Sequence, residues 1–379
     1  MRELSDIRLD INRVDREIQK LFLERMSLAE QVADYKITTG DKVLKPDREQ
    51  ALLDMMREQV PEYLEPEYVS MLKGMIRVSR MRQYSRILEK DPSKLSLPLC
   101  SRTKPQTVVY QGLPASYQAQ AAHHMFPDAA SIDHVATFED VFRTVAEGRA
   151  DVGVLPVENS SIGIINEVAD RLVQYNLYIS HSHVNYIHHC LAGCQTASME
   201  TVKQVYSIEP ALDQCQRYLK EHSFECCKAA NTAVAAQQVR DWNDPARAAV
   251  CSRAAAELYG LKVLASEIND DKTNQTRFIA ISRSLSAQPE DNRVSIIFTL
   301  SHRHGTLAAA LSMFSDHNMN LTEIHSRPLP ETPWNYRFHV DLEGSLASDN
   351  VRSLIYQLSE ELESFRLLGS YRITQTQEQ

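Results

Sequence analysis

The chain has 379 residues, 43% hydrophobic and 24% charged, enough for two or three domains at ~150 residues each. Its net charge of −9, without a large basic block, argues against nucleic acid as the main partner. No apolar run is long enough for a membrane span, the charged N-terminus is no secretory signal, and seven cysteines predict reduced thiols in the cytoplasm.

Residues 1–90 read as helix, interrupted only by Gly40 and Gly74. In the first helix, from about Asp6 to Ile37, the apolar stripe runs Ile7, Ile11, Val14, Ile18, Leu21, Leu28 and Val32. Its steps alternate four and three, as a packed seam requires. The member between Leu21 and Leu28 is Arg25, and Lys36, close to three turns further on, points the same way. A buried cation is expensive unless it is paired. A later helix repeats the anomaly, because Val69, Leu72 and Ile76 continue into Ser79 and Gln83. Between them "KPDREQALL" reads as a helix start, with Pro46 in the first turn and Arg48 and Glu49 behind it. These residues read either as interhelical salt bridges and polar seam positions or as one anion pocket, and their concentration favours the pocket. At ~48 Å the first helix outruns a domain of this size, which predicts packing along a second chain.

Residues 91–106 carry three prolines and three serines and read as a linker. From residue 107 to 284 short apolar strands alternate with helical patterns, the mark of an α/β domain. Ligands of open α/β sheets bind beyond the carboxyl ends of the strands. "VGVLPV" runs into Glu158, Asn159, Ser160 and Ser161, after which Ile162, Ile164 and Ile165 read as the apolar face of a helix. "VKQVYS" ends in Ser207, with Gln214 in the next helix. "KAANTAVAA" presents Asn231 and Thr232, and "KTNQTRFIAIS" puts Asn274, Thr276 and Arg277 just before an apolar strand. Nearly all are neutral donors, and each taken singly also reads as a cap or turn residue. No Cys-His or Ser-His-Asp arrangement and no phosphate-cradling glycine loop is readable. "HHCLAGC" reads as a strand and a glycine turn, since no second ligand pair follows at zinc spacing. Cys226-Cys227 reads as a buried strand pair. Residues 285–293 form a second linker. Residues 294–379 run strand, helix, strand, strand, helix, strand, a ferredoxin-like βαββαβ unit. There Gly305 opens a helix whose backbone N–H groups could meet a carboxylate.

The helical zone, through Arg8, Arg25, Lys36, "DREQALL" and "SRMRQ", resembles the all-α chorismate mutase domain. The resemblance implies an interlocked dimer in which Arg8 reaches the partner's pocket. It implies that Arg8, Arg25 and Arg48 hold the carboxylates of chorismate. Lys36 and Gln83 would bond the ether oxygen and Glu49 the ring hydroxyl, with Ser79 in the same site. Lys45 departs from the acidic residue common in relatives. "VLPVENSSIG", "VYSIEPALDQC", "NTAVAA" and "NQTRFIAIS" resemble prephenate dehydratase over residues 106–284. That implies two α/β lobes, arranged as in periplasmic binding proteins, around a cleft. Thr276 would help the C4 hydroxyl of prephenate depart and Arg277 would anchor a carboxylate. Asn159, Ser160, Ser207, Gln214, Thr232 and Asn274 would position the substrate. Threonine is a poor acid near neutral pH, so Thr276 reads as an orienting donor and Glu158 as a candidate proton source. Ile208-Glu209 replaces a common His-Pro, and Ala115 a usual glycine.

"GTLAAAL" and "HSRP" resemble the motifs of the ACT domain, which binds amino acids at subunit interfaces. The resemblance implies that Gly305, Thr306, Leu307 and Ala308, with His325, Ser326, Arg327 and Pro328, bind L-phenylalanine. His325 stands where glutamate is frequent. In this order the three resemblances imply a homodimer or higher oligomer with two activities, chorismate to prephenate and prephenate to phenylpyruvate. Feedback by L-phenylalanine is expected, and no cofactor or metal. Rival readings are an arogenate dehydratase and a non-catalytic two-lobed ligand sensor.

Overall fold

The structure, a computed structural model, describes residues 2–329 and 334–376. It separates into two compact units, Met1–Pro98 with Val294–Leu367, and Leu99–Arg293 with Leu368–Gln379. Among the described residues no helix is long and apolar enough to cross a membrane.

The chain opens with helices α1 (Leu4–Thr39), α2 (Pro46–Arg57) and α3 (Glu65–Lys90). At 36 residues α1 extends ~54 Å. It stops where Gly40 turns left-handed and its N–H closes on the Lys36 carbonyl. Helix α2 starts at Pro46 as expected, with Lys45 as its N-cap. Only the C-terminal half of α1 is covered: Ala33 packs with Val43, Tyr84 and Ile87. Arg82 pairs with Glu30 and Arg86 with Asp34 alongside. The predicted stripe itself lies bare on one chain, with Ile11, Ile18, Leu21 and Leu28 each 52–65% exposed.

The α/β unit begins with β1 (Thr107–Gln111), α4 (Tyr117–Met125), β2 (Ser131–Val135), α5 (Phe138–Ala146) and β3 (Val152–Asn159). Then follow β4 (Gly163–Ile164), α6 (Asn166–Gln174) and β5 (Tyr178–Tyr186). A second lobe holds β6 (Cys190–Gly193), β7 (Gln204–Ser207), α7 (Glu209–Asp213), α8 (Gln216–Glu221) and β8 (Glu225–Lys228). It continues with α9 (Thr232–Trp242), β9 (Arg247–Cys251), α10 (Arg253–Leu258) and β10 (Lys262–Ala265) before β11 (Gln275–Ser282) returns to the first sheet. The sheet orders are β5-β11-β3-β1-β2 and β10-β6-β9-β7-β8. The chain thus crosses between lobes at residues 187–189 and 266–274, and the strand-end residues converge there.

Three local expectations change. The helix after Asn159 starts only at Asn166, because Asn159 Oδ1 accepts from the N–H groups of Ser161 (3.0 Å) and Ile162 (3.2 Å). That side-chain turn folds Gly163–Ile164 back onto β3 as β4 and leaves Ile162 exposed. Thr276 and Arg277 lie inside β11 rather than before it, opposite Asn159 and Glu158 on β3. Cys226 is exposed, since β8 is an edge strand of its sheet.

The two segments read as linkers are fastened to each other. Leu99 bridges Leu285, and the Arg102 guanidinium forks onto the buried Asp291 carboxylate at 2.9 and 3.0 Å. The chain then runs through β12 (Arg293–Leu300), α11 (Thr306–Asp316), β13 (Leu321–Pro328), β14 (Tyr336–Glu343), α12 (Asp349–Glu361) and β15 (Ser364–Tyr371). Their sheet order is β13-β14-β12-β15. Helices α11 and α12 pack on α3 in the same unit, where Tyr356 meets Tyr84 edge-on at 5.3 Å. The single strand expected over "FRLLGSYRI" divides at Arg372. Its end, β16 (Ile373–Gln375), pairs in parallel with β5. Gly369 permits the approach, for a Cβ there would sit 2.1 Å from the Ile179 carbonyl oxygen.

Candidate active sites

The helical anomalies converge on one cavity of about 610 Å³ between α1, α2 and α3. Arg25, Lys36, Arg48, Glu49, Ser79 and Gln83 all line it, as does Lys45. Arg25 donates to Ser79 Oγ and, at 3.1 Å, to the Met75 carbonyl. Lys36 Nζ donates to Gln83 Oε1 and to the Val43 carbonyl, both at 3.0 Å. Burial lowers both cations from their ordinary values, and for Lys36 the neighbouring Lys45 and Arg48 add to the effect while Asp41 opposes it. A cluster of desolvated cations is what a polyanionic ligand would relieve. Lys45 pairs with Asp41 at 2.5 Å, so the departure at this position leaves a satisfied cation at the pocket's edge. Arg80 also lines the cavity and donates to Glu49 Oε2 at 2.5 Å. Of the predicted set, Arg8 alone is elsewhere, exposed on the uncovered part of α1.

The second site is a cleft of about 230 Å³ at the crossings between the two α/β lobes. Asn159, Gln214, Thr232 and Thr276 line it. Asn159 Nδ2 donates to Thr276 Oγ1 at 2.9 Å and to Asn274 Oδ1 at 2.8 Å. With Oγ1 already accepting, the Thr276 hydroxyl has its own hydrogen to offer into the cleft. Ser160 Oγ accepts from the Gln275 N–H at 2.9 Å and Asn274 is buried behind Asn159, so both brace the wall rather than face the cavity. Ser207 is wholly buried and donates to the Val250 carbonyl at 2.7 Å. Glu158 and Arg277 do not line this cleft. They alternate with Asn159 and Thr276 along paired strands, so they take the opposite face, where Arg277 Nε lies 3.4 Å from Glu158 Oε2.

Two lining residues carry no signal in the strand-end pattern, Tyr117 and His189. Tyr117 Oη lies 2.7 Å from the His188 carbonyl, so the phenol proton goes there. It can then only accept from His189 Nδ1, at 3.1 Å. Burial holds His189 neutral by lowering its pKa to about 4, which leaves Nε2 as a bare acceptor. Gln214 Oε1 lies 3.1 Å from Nε2, and since a bare Nε2 cannot donate to it, the hydrogen-bond pattern assigns the amide in the flipped sense, NH₂ to the ring and carbonyl to the cleft. Gln214 is thus an oriented acceptor among donors.

At the remaining predicted site Gly305 is the left-handed N-cap of α11, with φ 79°. Thr306 Oγ1 closes the turn on the Ser301 and Arg303 carbonyls, both at 3.1 Å. His325 through Pro328 form the end of β13, and His325 Nε2 meets Glu323 Oε1 at 2.7 Å.

Family models match the regions of the first two sites: type II chorismate mutase over residues 7–84 and prephenate dehydratase over residues 108–286. The bifunctional chorismate mutase/prephenate dehydratase of Aquifex aeolicus (strain VF5) is 31% identical over 374 residues, 98% of each chain. The chain belongs to the bifunctional chorismate mutase/prephenate dehydratase family. The arogenate dehydratase/prephenate dehydratase 2 of Arabidopsis thaliana is 34% identical over 281 residues, 71% of this chain and 73% of that one. A prephenate dehydratase from Arthrobacter aurescens, solved in complex with L-Phe, superposes with TM-score 0.64 at 26% identity, covering 70% of this chain and 90% of that one.

Within this family frame two departures acquire physical readings. Ala115 adopts φ 64°, a left-handed conformation that glycine takes without a Cβ penalty. Ile208 lines the dehydratase cleft, whereas Glu209 pairs with Lys228 at 2.6 Å on the surface.

Proposed function

We propose that the mutase pocket works by charge and the dehydratase cleft by alignment. Chorismate is rearranged to prephenate in the helical domain, and prephenate is converted to phenylpyruvate in the α/β domain. A Claisen rearrangement needs neither nucleophile nor proton transfer; it needs a folded substrate and donors on the ether oxygen as charge develops. Arg25 and Arg48, with Arg8 from the partner subunit, hold the two carboxylates. Lys36 and Gln83 serve the ether oxygen, and Glu49 takes the ring hydroxyl. The observation that carries this reading is the gathering of half-buried Arg25 and Lys36 with Arg48 in one cavity. The bare stripe on α1 supports a homodimer, because a second copy would cover it and bring Arg8 in.

In the cleft the Thr276 hydroxyl donates to the C4 hydroxyl as it leaves, while Gln214, Asn159 and Thr232 hold the ring. Loss of carbon dioxide and of hydroxide together yields the aromatic ring of phenylpyruvate, so the protein has mainly to align the substrate. The C-terminal βαββαβ unit is read as a ferredoxin-like ACT module. L-phenylalanine binds at the Gly305 turn and the end of β13 and inhibits the enzyme. Seven cysteines, none of them in a disulfide among the described residues, fit a reducing, cytoplasmic setting.

The test is to supply chorismate with and without L-phenylalanine and follow prephenate and phenylpyruvate separately. Both should appear in sequence, and phenylpyruvate formation should fall when L-phenylalanine is added; prephenate that accumulates unchanged without L-phenylalanine would refute the dehydratase half. Arogenate, which carries an amino group where prephenate has a keto group, is the competing substrate, and a parallel assay separates the two. Higher kcat/KM on arogenate would reverse the assignment.

A further inference from the structure

Glu49 is not held by the mutase helices alone. Arg80 on α3 reaches it through Nη1, while its Nε and Nη2 fork onto Glu361 of α12 at 2.9 and 3.2 Å. The fork is well sheltered, with the Arg80 side chain 14% and the Glu361 side chain 7% exposed. Glu361 is itself fixed by Gln357 Nε2 at 3.0 Å, and Gln357 Oε1 lies 2.9 Å from Nε2 of His317, the C-cap of α11. Burial pushes the Glu361 carboxyl above its ordinary value, and Arg80 and Gln357 pull it back. A hydrogen-bonded chain therefore runs from the end of α11, across α12, to a carboxylate in the mutase pocket.

A guanidinium shared in this way has a definite geometric result. With Nε and Nη2 turned to Glu361, Nη1 is the nitrogen that faces Glu49, and it takes one oxygen, Oε2. Oε1 is left to accept from a ligand. Without the fork Arg80 would be a long, mobile side chain, and the Glu49 carboxylate would lose its fixed orientation.

We propose that Glu361 is a positioning residue for chorismate rearrangement, acting through Arg80 to set the Glu49 carboxylate, so that the mutase pocket is built partly by the C-terminal module. The inference rests on reading the helical pocket as the mutase site. It concerns binding of the ring hydroxyl, not the ether donors Lys36 and Gln83, and so separates KM from kcat.

The experiment uses the full chain. Glu361→Gln and Arg80→Met are each expected to raise the chorismate KM about five- to tenfold with kcat within about twofold, the scale of one ordinary net hydrogen bond. The double variant should be no worse than either single one, because both remove the same link. A variant that loses kcat altogether has lost its fold. In that case Arg80→Lys, which keeps the charge but not the fork, decides by the same KM criterion. A chorismate KM within about twofold of the parent overturns the proposal, as do single effects that multiply in the double variant. A parent enzyme that turns over prephenate but not chorismate overturns the pocket assignment itself, and this inference with it.

Discussion

The mutase pocket and the dehydratase cleft solve opposite problems. The pocket collects cations that are costly to bury and leaves one wall, the stripe of α1, uncovered on a single chain. The cleft is lined largely by neutral groups, and its four central predicted residues meet within one chain, Asn159 and Thr276 through strand register and Gln214 and Thr232 from helix ends of the second lobe. Charge acts over several ångströms and tolerates a wall lent by another subunit. Neutral hydrogen bonds need alignment within tenths of an ångström, which elements of one chain supply. The comparison teaches that each chemistry selects its own scaffold.

The sharpest way to break the comparison is a pair of truncations. Thr276→Ala is expected to lower phenylpyruvate formation by about 10³-fold while leaving chorismate turnover intact, with prephenate still bound by calorimetry. Arg25→Ala should lower chorismate turnover by about 10²- to 10³-fold and spare the dehydratase. Loss of both activities from either change would mean misfolding and would dissolve the separation. Next comes the borrowed wall. Mixing Arg8→Ala with Arg25→Ala subunits should restore about a quarter of the mutase activity, since half of randomly paired dimers would carry one intact site. No recovery after subunit exchange would place Arg8 outside the partner's pocket.

The cleft has its own tests. His189→Asn should free Gln214 and raise the prephenate KM about tenfold, with smaller change in kcat; an unchanged KM would show that the ring does not hold the amide. Burial lowers both His181 and His189 to about 4, and for His181 the nearby Arg102 adds to the effect. Their ordinary value is 6.5, so between there and about 4 the unfolded chain binds more protons than the folded one. Stability of the α/β unit must therefore fall as pH drops through that window, with a lower thermal midpoint at about pH 5 than at about pH 7. Equal midpoints would contradict buried neutral rings. The smallest effect is Ala115→Gly, expected to stabilise by about 1 kcal/mol in chemical denaturation by relieving the left-handed alanine.

How much was legible follows the same division. Arg25 and Lys36 could be found because a cation on an apolar stripe has few structural excuses. Asn159, Gln214, Thr232 and Thr276 were visible only as a set, each alone being an ordinary cap or turn residue. The opposite face taken by Glu158 and Arg277 was in principle readable, since adjacent strand residues point opposite ways. It was missed because the strand was expected to begin after Arg277. His189, Tyr117 and Arg80 depend on contacts between elements far apart in sequence, and no local period encodes those. The same holds for β16, whose period fits a strand in either sheet.

That last strand limits how the molecule could be shortened. Residues 294–367 leave the α/β unit at Arg293 and return to it at Leu368, so they are spliced into it at both ends. A polypeptide stopped at residue 286, where the dehydratase match ends, would shed β16 and uncover the outer edge of β5 along Ser182–Val184. It would also strip from His183 the hydroxyls of Thr374 and Thr376, at 2.7 and 3.0 Å. A naked strand edge is a template for other copies. An engineer seeking the dehydratase alone would do better to graft residues 368–376 back on than to cut cleanly.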